Sequence, residues 1–161
     1  MLRDIVSQKK RRVCVRGIIY RHGELLCQVL KNSKGTAEDF WCTPGGGLEV
    51  GESLTDGLRR EMIEETGIEP QIGNLLFVQQ FADKWGDEVN EGLEFFFHIK
   101  NHEDYETINL GATSHGTIEV SRVAFVAPAT HHVLPAFLSN VSIDDYISGA
   151  LPPLIVDNFN E

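Results

Sequence analysis

One segment near the middle of the chain constrains the fold more than any other, because it joins a glycine-rich turn to an acidic helix. Pro44 and the three glycines after it interrupt regular strand pairing and allow a sharp turn. Ser53 is an N-cap candidate and Gly67 a C-terminal stop, so the pattern predicts a helix over Ser53–Thr66. A turn and helix embedded in β-rich sequence favour an α/β fold.

β-rich runs lie on both sides of this unit. Val13–Tyr20 and Leu25–Lys31 are separated by a short polar segment, which predicts a hairpin. Further strands are predicted at residues 40–43, 72–81, 93–100 and 118–127. Polar loops are predicted at residues 82–92 and 101–117. A second helix is predicted over 130–140, and the tail with prolines at 152–153 is expected to lie extended on the surface. This mixture predicts a mixed β-sheet covered by helices.

Length and charge limit the classes of function. At 161 residues the chain is expected to form a single domain over 1–161, with its core at about 10–140 and a C-terminal tail from about 149. The 24 acidic and 14 basic residues give a net charge of -10, so no long nucleic acid is expected as a partner. A small phosphorylated ligand remains compatible with this charge if a divalent cation lies between it and the carboxylates.

The sequence also carries expectations about the compartment. No stretch approaches the roughly 20 apolar residues needed to span a bilayer, so no membrane is expected. The N-terminal residues lack the apolar core of a secretory signal. Cys14, Cys27 and Cys42 are an odd number without metal-ligand spacing, so we expect buried free thiols and a cytoplasmic location.

The predicted helix concentrates negative charge at the edge of its buried face. Glu61, Glu64 and Glu65 fall within an arc of about 100° on the helix surface. They lie beside an apolar stripe formed by Leu54, Leu58 and Met62. Three neighbouring carboxylates repel one another, and Arg60, which can reach Glu64 and Glu52, does not balance them alone. Carboxylates at this density suit a hard cation such as Mg²⁺ or Mn²⁺.

The glycines before the helix supply a second argument for a ligand site. Glycine lets the backbone turn tightly and approach a ligand closely. The carbonyl oxygens of this turn are therefore candidate metal ligands, with Gly45 the first choice. A glycine-rich loop alone is a weak signal, and an acidic helix alone is usually a solvated face. Their fixed spacing makes the pair specific.

This segment resembles the Nudix box, and every position of that motif is present. The matching residues are Gly46, Glu52, Arg60, Glu61, Met62, Glu64, Glu65, Gly67 and Ile68. The surrounding strand order also resembles the family's α/β/α sandwich with a mixed β-sheet, over about residues 10–140. The resemblance implies a hydrolase that cleaves the phosphoanhydride bond of a nucleoside diphosphate linked to another group, by Mg²⁺-assisted attack of water on phosphorus.

The resemblance also assigns roles to residues. The metal ligands would be Glu61, Glu64, Glu65 and the carbonyl of Gly45. Arg60 would hold Glu52 and orient the acidic helix. Glu64 or Glu65 is the first choice for the base that deprotonates the attacking water. The alternatives are Glu94, which would serve as base or extra ligand, and Glu49.

Two residues outside this motif are candidates for binding the substrate. Arg16 on the first strand is a candidate phosphate contact, although a solvent-facing position would explain it equally. Trp85 is a candidate for stacking on a nucleobase. The alternative is that it makes a packing or dimer contact. A nucleoside triphosphate, a nucleotide sugar, ADP-ribose and a dinucleoside polyphosphate all remain open. The rival functions are a catalytically silent nucleotide-sensing domain and an isomerase on the same fold, and a homodimer is expected by family analogy alone.

Overall fold

The computed structural model describes residues 11–85 and 88–159, with the backbone alone for residues 83–85 and 88–90. Its strands are β1 (Arg11–Ile18), β2 (Tyr20–Arg21), β3 (Glu24–Leu30), β4 (Trp41–Cys42), β5 (Gly45–Gly47), β6 (Ile72–Trp85), β7 (Glu88–Ile99), β8 (Val120–Val126), β9 (Val133–Leu134) and β10 (Leu154–Asn158). Its α-helices are α1 (Leu54–Thr66), α2 (Gly116–Glu119) and α3 (Ile143–Ile147). Short 3-10 helices lie at His102–Glu106, Leu110–Ala112 and Ala136–Ser139. Within the described ranges, no helix is long and apolar enough to cross a membrane.

The strands form two sheets, and the expected α/β sandwich with mixed pairing is confirmed. The first sheet has the order β10-β6-β7-β1-β5. In it β1 pairs with β7, and β6 with β10, in parallel, while β6–β7 and β1–β5 are antiparallel. The second sheet has the order β2-β3-β4-β9, with β8 also paired to β3. One apolar cluster lies around Phe77 and Phe96, and another lies beneath α1.

The long helix is present where the sequence predicts it. Ser53 is its N-cap and accepts a hydrogen bond from the backbone N–H of Asp56. Gly67 ends it in the left-handed conformation, with φ of 75°, which glycine adopts without steric cost. Leu58 and Met62 are fully buried against the first sheet, so the apolar stripe faces the core. This orientation brings the carboxylates beside it to the edge of the sheet.

Two predictions around the first strands need correction. The hairpin is made by β2 and β3, whereas β1 belongs to the other sheet, because the chain crosses between sheets at the buried Ile19. The three glycines do more than turn the chain. They form β5, antiparallel to β1, with Gly45 opposite Arg16. Glycine allows this close approach, because an added Cβ on Gly45 would lie 2.1 Å from the Val15 carbonyl oxygen.

The predicted loop at 82–92 is wrong for the part that the structure describes, 82–85 and 88–92, while residues 86–87 lie outside the described residues. Strands β6 and β7 continue as a paired ladder as far as Trp85 and Glu88, because a polar sequence does not prevent the backbone hydrogen bonds of an antiparallel pair. The predicted loop at 101–117 contains two of the 3-10 helices and the start of α2.

The later part of the chain also differs from the sequence prediction. No helix spans 130–140; that segment holds β9 and a 3-10 helix on either side of Pro135. Proline interrupts a helix because it lacks a backbone N–H. The extended tail forms a strand, which the sequence does not predict, and β10 pairs in parallel with β6. Its side chains alternate between half-buried and exposed, the period expected of a strand at the edge of a sheet.

Candidate active site

The most buried acid of the site is Glu65, on the inner side of α1. Its side chain is held between two other elements. The backbone N–H of Gly45 donates to Oε2 at 2.9 Å, and Gln28 Nε2 donates to Oε1 at 3.0 Å. The residue is 4% exposed, and burial raises the pKa of Glu65 to about 7 against the opposing effect of these hydrogen bonds. The carboxyl therefore changes charge near neutral pH.

Arg60 binds three carboxylates at once; we call Arg60, Glu52, Glu61 and Glu64 the Arg60 cluster. Glu52 accepts at both oxygens, from Nε at 2.7 Å and from Nη2 at 3.0 Å. Nη1 donates to Glu61 at 2.8 Å and to Glu64 at 3.2 Å, and Nη2 also donates to the carbonyl of Gly47 at 3.0 Å. One guanidinium thus ties the loop before α1 to the acidic face of the helix.

The electrostatics of the cluster are uneven. Hydrogen bonds from Arg60, followed by one from the backbone N–H of Glu49, lower the pKa of Glu52 to about 2. Burial raises the pKa of Glu61 in spite of its contact with Arg60. Glu61 also packs against Gly46, where an added Cβ would lie 2.6 Å from the carboxyl carbon. A glycine at this position of β5 is therefore required for the carboxylate to lie where it does.

The chemistry of this donor set fits a hard divalent cation. Glu61, Glu64 and Glu65 offer carboxylate oxygens from one helix face, and Gly45 offers a carbonyl oxygen. Burial works against charge on two of these acids, and a bound cation favours the ionised form. In the described part of the chain, no three His, Cys, Asp or Glu side chains are already close enough to hold a metal. The carbonyl of Gly45 also accepts from Arg16 Nη1 at 3.0 Å.

A cleft of about 470 Å³ is lined by residues of β1, β6, β7 and β10, and none of the described residues that line it belongs to α1. It is connected to the acidic helix through Arg16, which donates to the carbonyl of Gly45. Phe40 and Phe81 contribute aromatic walls. Its polar lining includes a connected set of four side chains, Arg16, Gln79, Glu94 and Asn158, which we call the Arg16 array. Arg16 Nε donates to Glu94 Oε1 at 3.0 Å, with side chains only 17% and 9% exposed. The structure therefore brings together two of the residues that the sequence singles out and places Arg16 at a cleft instead of in open solvent.

Other sequence candidates have different outcomes. Trp85 ends β6, and its side chain lies outside the described residues. Glu49 is exposed, and its backbone N–H donates to Glu52 at 2.9 Å. His115 Nδ1 lies 3.3 Å from Glu64 Oε2, a contact that the sequence does not predict. The three cysteines are buried, and no disulfide joins them.

Sequence reasoning missed Gln79 and Asn158 as part of the cleft. Gln79 Nε2 donates to Glu94 Oε2 at 3.2 Å, and Asn158 Nδ2 donates to Gln79 Oε1 at 2.7 Å. Single amides on strands give no motif, and the position of Asn158 depends on the pairing of β10 with β6. An inward-facing amide in an alternating strand was the one available signal.

Comparison with known proteins gives consistent results. A family model described as NUDIX domain matches residues 9–139. An ADP-ribose pyrophosphatase of Methanocaldococcus jannaschii is 33% identical over 72 residues, 45% of this chain and 41% of that protein. A nucleoside triphosphatase, NudI, of an Enterobacter species is 36% identical over 58 residues, 36% of this chain and 41% of that protein. The chain thus spans less than half the length of these two relatives.

The fold is shared with solved structures. The crystal structure of the MutT protein from Methanosarcina mazei has a TM-score of 0.63 at 21% identity, covering 90% of this chain and 99% of that one. At this identity the likeness shows the fold alone. The family model, however, covers most of the chain and includes the glycine strand, α1 and the cleft strands β1, β6 and β7. This chain belongs to the Nudix family.

Proposed function

We propose that this protein is a Mg²⁺-dependent pyrophosphohydrolase, which cleaves a phosphoanhydride bond in a nucleoside diphosphate linked to another group. The observation that carries the proposal is the position of Glu65. It lies buried against the N–H of Gly45, whose carbonyl accepts a hydrogen bond from Arg16 in the wall of a cleft of nucleotide-compatible size. Buried, like-charged carboxylates with shifted pKa values are typical of a catalytic centre.

Nudix hydrolases generally use a divalent metal, and we assign Mg²⁺, with Mn²⁺ as the substitute. Glu61, Glu64, Glu65 and the Gly45 carbonyl would hold it. When bound, the ion polarises the phosphates and stabilises the leaving oxygen. The task of Arg60 is then to keep Glu61 and Glu64 on one side of α1, which its hydrogen bonds to both carboxylates already do.

The base that takes the proton from the attacking water is assigned to Glu64 or Glu65. A base works best when its pKa lies near the working pH, and the pKa of Glu65 is raised to about 7. Glu64 is the more accessible of the two, with a side chain 27% exposed. Glu94 ranks behind them because both of its oxygens already accept hydrogen bonds, from Arg16 and Gln79.

The cleft is assigned to the nucleotide part of the substrate. Phe40 and Phe81 offer aromatic surface on which a base can stack. Arg16 is the cation for a phosphate group. The activities named for two relatives, on ADP-ribose and on nucleoside triphosphates, bring both compounds into the test panel. A homodimer, a cytoplasmic location and a stacking role for Trp85 stay predictions.

The test is phosphate or pyrophosphate release from nucleoside triphosphates, nucleotide sugars, ADP-ribose and dinucleoside polyphosphates, with Mg²⁺, with Mn²⁺ and with EDTA. We expect turnover of one compound above the rest, abolished by EDTA. Glu65→Gln and Glu64→Gln should each lower kcat by roughly 100-fold or more. Glu69→Gln is the matched control, because Glu69 pairs with Arg59 on the exposed surface.

Two results would overturn the proposal. One is wild-type turnover by both folded variants, which would remove the acidic face from the chemistry. The other is tight binding of a nucleotide without turnover of any compound, which would favour a sensing domain.

A further inference from the structure

A continuous run of hydrogen bonds connects the last strand of the protein to the acidic helix. It starts at Asn158 on β10, passes through Gln79 and Glu94, and reaches Arg16. Arg16 Nη1 donates to the carbonyl of Gly45 at 3.0 Å, and the backbone N–H of Gly45 donates to Glu65 at 2.9 Å. The Arg16 array therefore ends on Gly45, the residue whose N–H holds Glu65.

The direction of these hydrogen bonds is fixed by chemistry. Glu94 lies beside the guanidinium of Arg16, and an ionised carboxylate only accepts hydrogen bonds. Gln79 must therefore turn its NH₂ group toward Glu94, which leaves its oxygen facing Asn158. Asn158 must then turn its own NH₂ group toward Gln79. Each side chain has one satisfied orientation, and the choice is transmitted from one end of the array to the other.

The end of this array comes from a part of the chain outside the family match. The match stops at residue 139, and β10 (Leu154–Asn158) lies beyond it. Asn158 is half-buried and lies opposite Phe81 in the parallel pairing of β10 with β6. It lines the cleft together with Gln79. The C-terminal strand thus supplies a polar group that the cleft strands of the family domain do not.

We propose that Asn158 is a positioning residue, which acts through Gln79 and Glu94 to hold Arg16 against the Gly45 carbonyl and so keeps Gly45 hydrogen-bonded to Glu65. The importance of this position for hydrolysis rests on the proposed function. The position itself does not, and the first measurement below is independent of turnover.

The decisive measurement is hydrogen exchange at the Gly45 amide, followed by NMR in the full-length protein without metal. Asn158→Ala removes the donor, and Asn158→Leu removes it while keeping most of the side-chain volume. Both should speed exchange at Gly45 by roughly fivefold, the loss of about one hydrogen bond. Exchange at Leu26, whose N–H pairs with Ile19 in the other sheet, should not change.

A matched control separates the array from general loosening of β10. Asp157 lies next to Asn158, is exposed, and accepts a hydrogen bond from the Phe159 N–H. Asp157→Ala should leave exchange at Gly45 unchanged. Equal acceleration in Asp157→Ala and Asn158→Ala, or no acceleration in either Asn158 variant, would overturn the proposal.

Reversing the polarity of the array gives a second test. In Asn158→Asp a carboxylate lies on each side of Gln79, whose single NH₂ group cannot face both, so exchange at Gly45 should rise. When Asn158→Asp is combined with Glu94→Gln, the amide introduced on β7 can accept from Arg16 and donate to Gln79. Gln79 can then donate to the carboxylate introduced on β10. Exchange in this double variant should return toward that of Glu94→Gln alone. Equal exchange in Asn158→Asp and the double variant would overturn the proposal.

Kinetics then relate this position to the reaction. If the protein hydrolyses a member of the panel, Asn158→Ala should lower kcat by roughly fivefold and change KM less. A rise in KM with unchanged kcat would overturn the positioning role and make Asn158 a substrate contact. If no compound is hydrolysed, the proposed function fails, while the exchange measurements still decide the role of Asn158.

Discussion

The Arg60 cluster and the Arg16 array use the same chemistry, one partly buried guanidinium bound to carboxylates, for different ends. Arg60 contacts three carboxylates within residues 52–64. Arg16 contacts one, Glu94, and that carboxylate accepts its remaining hydrogen bond from a neutral amide. The cluster therefore carries two more negative charges than positive ones, whereas the array is balanced.

This difference in charge indicates a difference in role. An excess of desolvated negative charge is unfavourable in the free protein and favours binding of a cation. A balanced and fully hydrogen-bonded array has no such demand, but its geometry has a single satisfied arrangement. We therefore interpret the carboxylates of the cluster as the part that binds the metal cation, and the array as the part that positions Gly45.

Among changes to the two arginines, the largest effect is expected from Arg60→Ala. Without the guanidinium, Glu52, Glu61 and Glu64 lose their shared donor, so the loop before α1 separates from the acidic face. Mutation of residues that orient metal ligands typically lowers metal affinity or activity by about 10- to 100-fold. We therefore expect kcat to fall by roughly 100-fold. Steady-state kinetics at saturating Mg²⁺ provide the measurement.

Arg60→Lys is the matched comparison for that variant. Lysine keeps the charge but cannot make the paired hydrogen bonds to Glu52. It should recover only part of the lost activity. Full recovery would mean that charge alone matters, and it would remove the argument for positioning by Arg60.

Arg16→Met should cost stability more clearly than it costs metal binding. It leaves Glu94 buried without its cation, which typically costs about 3 kcal/mol. Adding Glu94→Gln should restore part of the free energy of unfolding, since the buried charge is gone. Arg11→Ala is the control, because its ion pair with Glu91 is exposed and such pairs contribute about 0–1 kcal/mol. Urea denaturation measures all four proteins, and equal losses for Arg16→Met and Arg11→Ala would contradict the prediction.

Two acids of the site should give pH dependences of opposite sign in metal-free protein. The pKa of Glu65 is raised from 4.5 to about 7, so the folded state holds its proton more tightly. The protonated carboxyl therefore contributes to stability fully below pH 4.5, and this contribution is lost as the pH rises through 7. The pKa of Glu52 is lowered from 4.5 to about 2, so its contribution is present above 4.5 and is lost as the pH falls through 2.

The measurement is the difference in Tm between wild type and each Gln variant, from pH 2 to pH 8 in EDTA. With Glu65→Gln the difference should change between about 4.5 and 7, and with Glu52→Gln between about 2 and 4.5. A common pH window for both variants would contradict the assigned environments. It would also mean that the Arg60 cluster and the Gly45–Glu65 contact do not shift the pKa values of their carboxyl groups in opposite directions.

The Arg60 cluster could be predicted from the sequence, whereas the Arg16 array could not. The Arg60 cluster is local: its members lie on one helix and the loop before it, so helical periodicity and capping residues are enough to predict that they meet. The Arg16 array takes one residue from each of β1, β6, β7 and β10. Which strands are neighbours depends on tertiary pairing, and no local pattern encodes it.

The same distinction explains the errors in the fold. Helix α1 has a cap, an apolar stripe and a glycine stop, and its prediction is confirmed. The predicted helix at 130–140 had no comparable start signal and contained Pro135. The sequence, with Pro152 and Pro153, predicts an extended tail on the surface, but it does not predict that β10 pairs with β6. Local signals therefore predicted the part that we assign to metal binding and missed the strand that completes the cleft.

The smallest effect is expected from the purely local signal. Ser53→Ala removes the N-cap hydrogen bond to the Asp56 N–H and should lower the free energy of unfolding by about 1 kcal/mol, whereas Ser53→Gly should cost only a few tenths. Neither change touches the Arg60 cluster, so kcat should stay that of wild type at temperatures where the variants are folded. Denaturation measures the expected loss of unfolding free energy, and kinetics on the same samples measure kcat. A loss of kcat as large as that of Arg60→Ala would show that the first turn of α1, and not the guanidinium, holds the acidic face in place.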